Sequence, residues 1–210
     1  MPHDHCCDHE PVFTGASTAY RRALWVVIAI NALMFAVEVV AGLTAGSMAL
    51  QADSLDFLAD SATYGLSLWV IARPPRWRAN AALFKGASLG ILGTWVLAAT
   101  IWRVFAPGPP EPIVMGAIGV LALCANVASV LLLLRYRDGD ANVRSVWLCS
   151  RNDAIGNIAV VLAASGVFAT GTAWPDLIVA GVMASLFLSS SVRIMRHALS
   201  ERSHLAATHA

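Results

Sequence analysis

The stretch "LQADSLDFLADS" (Leu50–Ser61) decides how this chain folds. It sets Asp53, Asp56 and Asp60 inside a run from Ser47 to Ile71 that is otherwise long and apolar enough to cross a bilayer. An ionised Asp at a bilayer centre costs about 2.5 to 3.5 kcal/mol on insertion scales, so three of them within about two helical turns demand a reason other than packing. Their offsets of i, i+3 and i+7 place all three carboxyl groups on one helical face.

The rest of the chain agrees with a membrane solvent. Of its 210 residues, 13% are charged and 58% hydrophobic, with a mean hydropathy of +0.66; a soluble domain carries about 25% charged residues. A helix needs about 20 residues to span the hydrocarbon core. Runs of that length occur at approximately Ala23 to Leu43, Ser47 to Ile71, Ala81 to Phe105, Ile113 to Leu134, Ser145 to Ala169 and Leu177 to Met195. The breaks "TAGS", "RPPRWR", "APGPPEP", "RYRDGDANVR" and "GTAWPD" hold the Gly, Pro, Asp and Asn that end helices. The expected fold is all-α, a polytopic membrane protein with six transmembrane helices.

Basic residues orient it. Arg21 and Arg22 precede the first span; Arg73, Arg76 and Arg78 follow the second, Arg135, Arg137 and Arg144 the fourth, and Arg193, Arg196 and Arg202 the sixth. The first, third and fifth connections hold no Lys or Arg. Both termini are therefore expected in the cytoplasm of a multi-pass protein of the cell membrane. Residues 1–20 form a cytoplasmic tail, 21–197 the six-span domain and 198–210 a second short tail. The opening residues lack a signal-peptide core, so the first run is expected to be retained. The few residues after the last span are too short for a further folded domain without metals or disulfides.

A net charge of +1 from 14 basic and 13 acidic residues gives no nucleic-acid surface. Four cysteines, Cys6 and Cys7 adjacent and Cys124 and Cys149 within apolar runs, give no secreted disulfide framework.

Away from their ends the spans hold few ionisable residues: Glu38, the three aspartates, Lys85, Arg151 and Asp153. Such residues are functional candidates by default. In "CSRNDAIGN" the fifth span repeats Cys149, Asp153 and Asn157 every four residues on one face. Two helices, each offering an i, i+4 pair, supply four ligands: Asp56, Asp60, Cys149 and Asp153, the number zinc prefers. Asp53 is either a helix cap or an accessory at the rim, and Asn157 either an accessory ligand or an interhelical hydrogen bonder. Buried Cys is commonly an apolar filler, so Cys149 rests on its partners. Glu38 either carries protons or pairs with Lys85 or Arg151. Cys124 and Asn126 are read as packing residues.

The stretches "VVAGLTAGSMALQADSLDFLADS" and "NVRSVWLCSRNDAIGNIAVV", within residues 38 to 61 and 142 to 161, resemble the cation diffusion facilitator family of divalent-metal exporters. There the second span follows "G-S-x-A-L-x-A-D-x-x-[HD]-x-x-x-D" and the fifth "N-x-R-x-x-x-x-H-x-x-x-D-x-x-x-[SN]". The resemblance implies that Asp56, Asp60 and Asp153 are metal ligands; Cys149 stands where the family usually has His or Asp. Thiolate is softer than imidazole and favours zinc or cadmium over manganese or magnesium. The resemblance also implies a homodimer, here through membrane helices, that exchanges a divalent cation for protons, and no cofactor beyond that substrate. Two departures stand out: most members carry a cytoplasmic domain after the sixth span, and "RWRANAALFKGAS" (Arg76–Ser88) has Lys85 near a place where many members show an acidic residue.

At the N-terminus "HDHCCDHE" gathers His3, His5, Cys6, Cys7 and His9 without a closed zinc-finger spacing, which suits a mobile segment that captures metal. His197, His204 and His209 are read as solvated. The function expected is efflux of a divalent transition-metal cation, zinc first, with cadmium, cobalt, nickel and iron as other candidates. Neutral carboxyls are far cheaper in lipid than carboxylates, so protons compete with metal for such a site. The alternatives are a proton-coupled exporter of organic cations, using isolated carboxylates in an aromatic cavity, and an intramembrane metalloenzyme, which lacks an "HExxH" helix and any His within a span.

Overall fold

A computed structural model describes residues 17–70, 75–105, 108–138 and 141–207. It contains six long helices: α1 Thr18–Ala45, α2 Met48–Val70, α3 Pro75–Val104, α4 Pro112–Leu133, α5 Ala141–Thr170 and α6 Trp174–Ala207. A short 3₁₀ turn, Leu134–Tyr136, follows α4. Five of the helices are long and apolar enough to cross a membrane by length and composition. The exception is α2, whose Asp53, Asp56 and Asp60 fall within every 18-residue window of the helix.

Several helices outrun the sequence expectation. α3 starts at Pro75 rather than Ala81, α5 at Ala141 rather than Ser145, and α6 runs from Trp174 to Ala207 rather than from Leu177 to Met195. Hydropathy marks where a helix enters lipid, while backbone hydrogen bonding continues into the polar layer beyond it. Pro75 opens α3 and Pro175 lies in the first turn of α6, positions where a missing N–H costs nothing.

The strongest packing joins helices in pairs: α3 with α6, α1 with α2, and α4 with α5. α1 also packs on α4, and α2 touches both α3 and α6. The largest core cluster draws Leu50 and Ala52 from α2, Leu89 and Val96 from α3, Val160 and Val167 from α5 and Phe187 from α6. Outward faces are equally apolar: Leu33, Ile91, Leu131 and Leu162 are mostly exposed. A helix that is hydrophobic all round belongs in lipid.

The 1–2, 3–4 and 5–6 connections meet on one side. Gly46 ends α1 in the left-handed region at φ 67°, which a glycine enters without steric penalty, and its N–H returns to the Gly42 carbonyl. The Glu111 N–H reaches the Ala45 carbonyl at 2.9 Å, and the Glu111 side chain caps α4 at Ile113 and Val114. At the opposite side Tyr20 of α1 meets Tyr136 edge-to-face, with ring centroids 5.0 Å apart.

The start of α2 is capped from another helix. Ser47 Oγ donates to Asp176 Oδ1 at 2.6 Å, while the Met48 and Ala49 N–H groups donate to Asp176 Oδ2 and Oδ1 at 2.8 and 3.0 Å. Ser47 Oγ also accepts from the Leu50 N–H at 3.1 Å. Asp176 belongs to the turn-like "GTAWPD" in the sequence, but it lies in the first turn of α6 and is buried. With the cap supplied by Ser47 and Asp176, Asp53 is not needed as one.

Asp176→Ala strands a buried hydroxyl and two buried N–H groups. The expected loss is about 2 to 3 kcal/mol, seen as a lower unfolding midpoint of the purified protein in detergent; an unchanged midpoint would show that water replaces the carboxylate at no cost.

Candidate functional site

On α2 the i, i+3, i+7 face turns inward, and α5 brings its own polar face against it. Asp53, Asp56, Asp60, Cys149 and Asp153 line one cavity of about 340 Å³, closed on its other walls by Lys85 and Leu89 of α3 and by Met183 and Phe187 of α6. Asp56, Asp60, Cys149 and Asp153 are half-buried, whereas Asp53 is 1% exposed. The helix rise of 1.5 Å per residue sets Asp56 and Asp60 about 12 and 18 Å from the start of α2, near the middle of its length.

Asp56 and Asp60 of α2 share this one space with Asp153 of α5, across the α2–α5 interface. Asp153 Oδ2 is buried and lacks a hydrogen-bond partner. Ionised carboxylates have no proton to donate to one another. Gathered in one half-buried space they repel one another, and a proton or a cation taken up among them relieves that repulsion. Among the described residues no three His, Cys, Asp or Glu side chains already close into a metal-holding group. The donors line a common space rather than converging on a point.

Asn157 is not brought to the cavity wall. It is buried behind Asp153, donating from Nδ2 to the Asp153 carbonyl at 3.1 Å, while its Oδ1 is without a partner. For Glu38 the pairing alternative is the one not met. Among the described residues it pairs with neither Lys85 nor Arg151; it is fully buried beside Asp53, and neither of its carboxyl oxygens has a hydrogen-bond donor. Arg151 points outward, its guanidinium stacked 5.3 Å from the Trp147 ring centre. Asn126 is buried as expected, but Cys124 is exposed on the outer surface of α4 rather than packed inside. His3, His5, Cys6, Cys7 and His9 lie outside the described residues, as does His209.

Tyr64 escaped the sequence reading. Its hydroxyl donates to Asp60 Oδ2, one turn earlier on α2, and lies 3.3 Å from Ser150 Oγ on α5. The ring is fully buried. The available signal was the i+4 spacing from Asp60, which a tyrosine in an apolar helix does not advertise.

Comparison with known proteins fits this geometry. The cation efflux transmembrane domain family matches residues 24–201. The zinc transporter ZitB of Escherichia coli is 30% identical over 212 aligned positions, covering 95% of this chain and 66% of that protein. The metal cation efflux system protein CzcD of Cupriavidus metallidurans is 28% identical, covering 76% of this chain and 54% of that protein. A cadmium, cobalt and zinc/H(+)-K(+) antiporter of Bacillus subtilis is 23% identical, covering 78% of this chain and 57% of that protein. The chain thus spans somewhat over half to about two thirds of the length of these relatives.

Tyr64→Phe removes the hydroxyl that fixes the Asp60 carboxyl while keeping the ring. Loss of such a supporting hydrogen bond is expected to weaken divalent-cation binding by about tenfold, measured by titration of the purified protein; unchanged affinity would reduce Tyr64 to a packing role.

Proposed function

Because this chain belongs to the cation efflux transmembrane domain family, the cation diffusion facilitators, we propose that it moves a divalent transition-metal cation out across the membrane in exchange for protons. Family membership makes it part of a transporter rather than an enzyme, which sets the metalloenzyme reading aside. The observation that carries the proposal is the meeting of Asp56, Asp60 and Asp153 from two helices in one cavity, with no cation paired to them among the described residues. Protons and metal compete for such a group, which is the physical basis of exchange.

In this reading Asp56, Asp60, Asp153 and Cys149 hold the ion, Asp53 lies at the rim, and Asn157 is an accessory one turn behind Asp153. Zinc is the first substrate: the carboxylate and thiolate donors suit it, and zinc appears in the names of the relatives from E. coli and B. subtilis. The name of the B. subtilis relative supports proton exchange. The arginine pattern supports a cytoplasmic side for both termini. His3, His5, Cys6, Cys7 and His9 gather metal there, and the protein works as a homodimer joined through its membrane helices.

Asp60→Ala is expected to abolish zinc-driven proton movement in proteoliposomes; transport at the wild-type rate would remove Asp60 from the site. Cys149→Ser exchanges a soft donor for a hard one and is expected to weaken cadmium binding by about tenfold, and zinc binding less. Equal affinities in wild type and variant would show that the thiol is not a ligand.

A further inference from the structure

One lysine stands among the acidic side chains, and its backbone is fixed independently of them. Lys85 is followed by Gly86, where α3 comes so close to α6 that an added Cβ would lie 2.8 Å from Met195 Cγ. The Ser191 hydroxyl donates to the Gly86 carbonyl at 2.6 Å, a buried bond between the two helices. Gly90 and Gly93 continue the same close approach, facing Ser191 and Phe187.

The lysine side chain borders two spaces. One is the acidic cavity of about 340 Å³. The other is an apolar pocket of about 320 Å³ between α2 and α3, which Lys85 lines with Leu58, Ala62, Phe84 and Leu92. Ala59, Thr63 and Leu89 border both spaces, so the two adjoin where the lysine stands. Lys85 makes no ion pair among the described residues. An ammonium left against apolar walls is poorly solvated. The carboxylates of the adjoining cavity offer it charge, since Lys85 lines that cavity together with Asp56, Asp60 and Asp153.

We propose that Lys85 is a tethered cation that leans into the acidic cavity when a transported ion leaves and withdraws toward the α2–α3 pocket when one arrives. This deepens the transport-site reading of Asp56, Asp60, Cys149 and Asp153 and rests on it. The tether gives the site two properties. A divalent ion displaces a single ammonium where a monovalent ion gains little, which favours doubly charged substrates. The departing ion is replaced at once by a built-in charge, so release is faster and affinity lower than the carboxylates alone would give.

The test is zinc titration of the purified full chain, together with zinc flux in proteoliposomes. Lys85→Met keeps the length and removes the charge; zinc should bind about tenfold more tightly, and maximal flux should fall. Lys85→Arg restores a charge and should bind zinc more weakly than Lys85→Met does. Should the Met variant not fold, Lys85→Gln is read in the same way. Unchanged or weakened zinc binding in the neutral variants overturns the tether while leaving the site intact, provided that Asp60→Ala abolishes binding. If the wild type binds no zinc, or Asp60→Ala leaves binding unchanged, the transport-site reading falls and the tether with it.

Discussion

The carboxylate of Asp176, reaching from α6 to the first turn of α2, is the interaction on which the arrangement of the site depends. A helix start leaves N–H groups without partners, and where that start is buried inside the protein, as at Ser47 to Ala49, they need a partner there. α2 is the helix least able to bear that defect, because it already carries three aspartates. The buried side chain settles the defect and fixes where α2 begins relative to α6. Since Asp53, Asp56 and Asp60 follow at set helical offsets, their height and direction are fixed by the same bond. α5 then brings Cys149 and Asp153 to that height.

Much of this was legible in the sequence. The six apolar runs gave the helices, and the period of four in "LQADSLDFLADS" and "CSRNDAIGN" gave the two polar faces that line one cavity. Local periodicity shows which face of a helix a residue occupies but not which neighbour it meets. Asp176 and Ser47 are 129 positions apart, and nothing local to "GTAWPD" marks its carboxylate as the cap of another helix. Of the two readings of Glu38, a proton carrier or a partner of Lys85 or Arg151, the pairing is not met: the side chain stands beside Asp53, another carboxyl group, which only packing reveals. Cys124, read as a packing residue, is exposed, because its place on α4 turns it outward.

The bundle is unevenly packed, and this matters for the site. Along α3 the glycines at 86, 90 and 93 let the backbone settle against α6, with Ser191 bonding across. Between α2 and α3 the packing leaves an apolar pocket. One wall of the acidic cavity therefore belongs to a tightly joined pair, and the wall bearing most of its carboxylates meets that pair along a looser seam.

The short connection between α1 and α2 has a consequence for how the protein is made. At about 2.5 to 3.5 kcal/mol per buried Asp, α2 partitions poorly into a bilayer by itself. α1 carries no such burden beyond Glu38, and only Gly46 and Ser47 separate its last residue from the first of α2. The left-handed turn at Gly46 folds the two helices back on each other, and the Gly42 surface lets Leu50 and Gln51 approach closely. The second helix thus follows the first as the trailing arm of a hairpin, with Asp53 already set beside the buried Glu38 of α1.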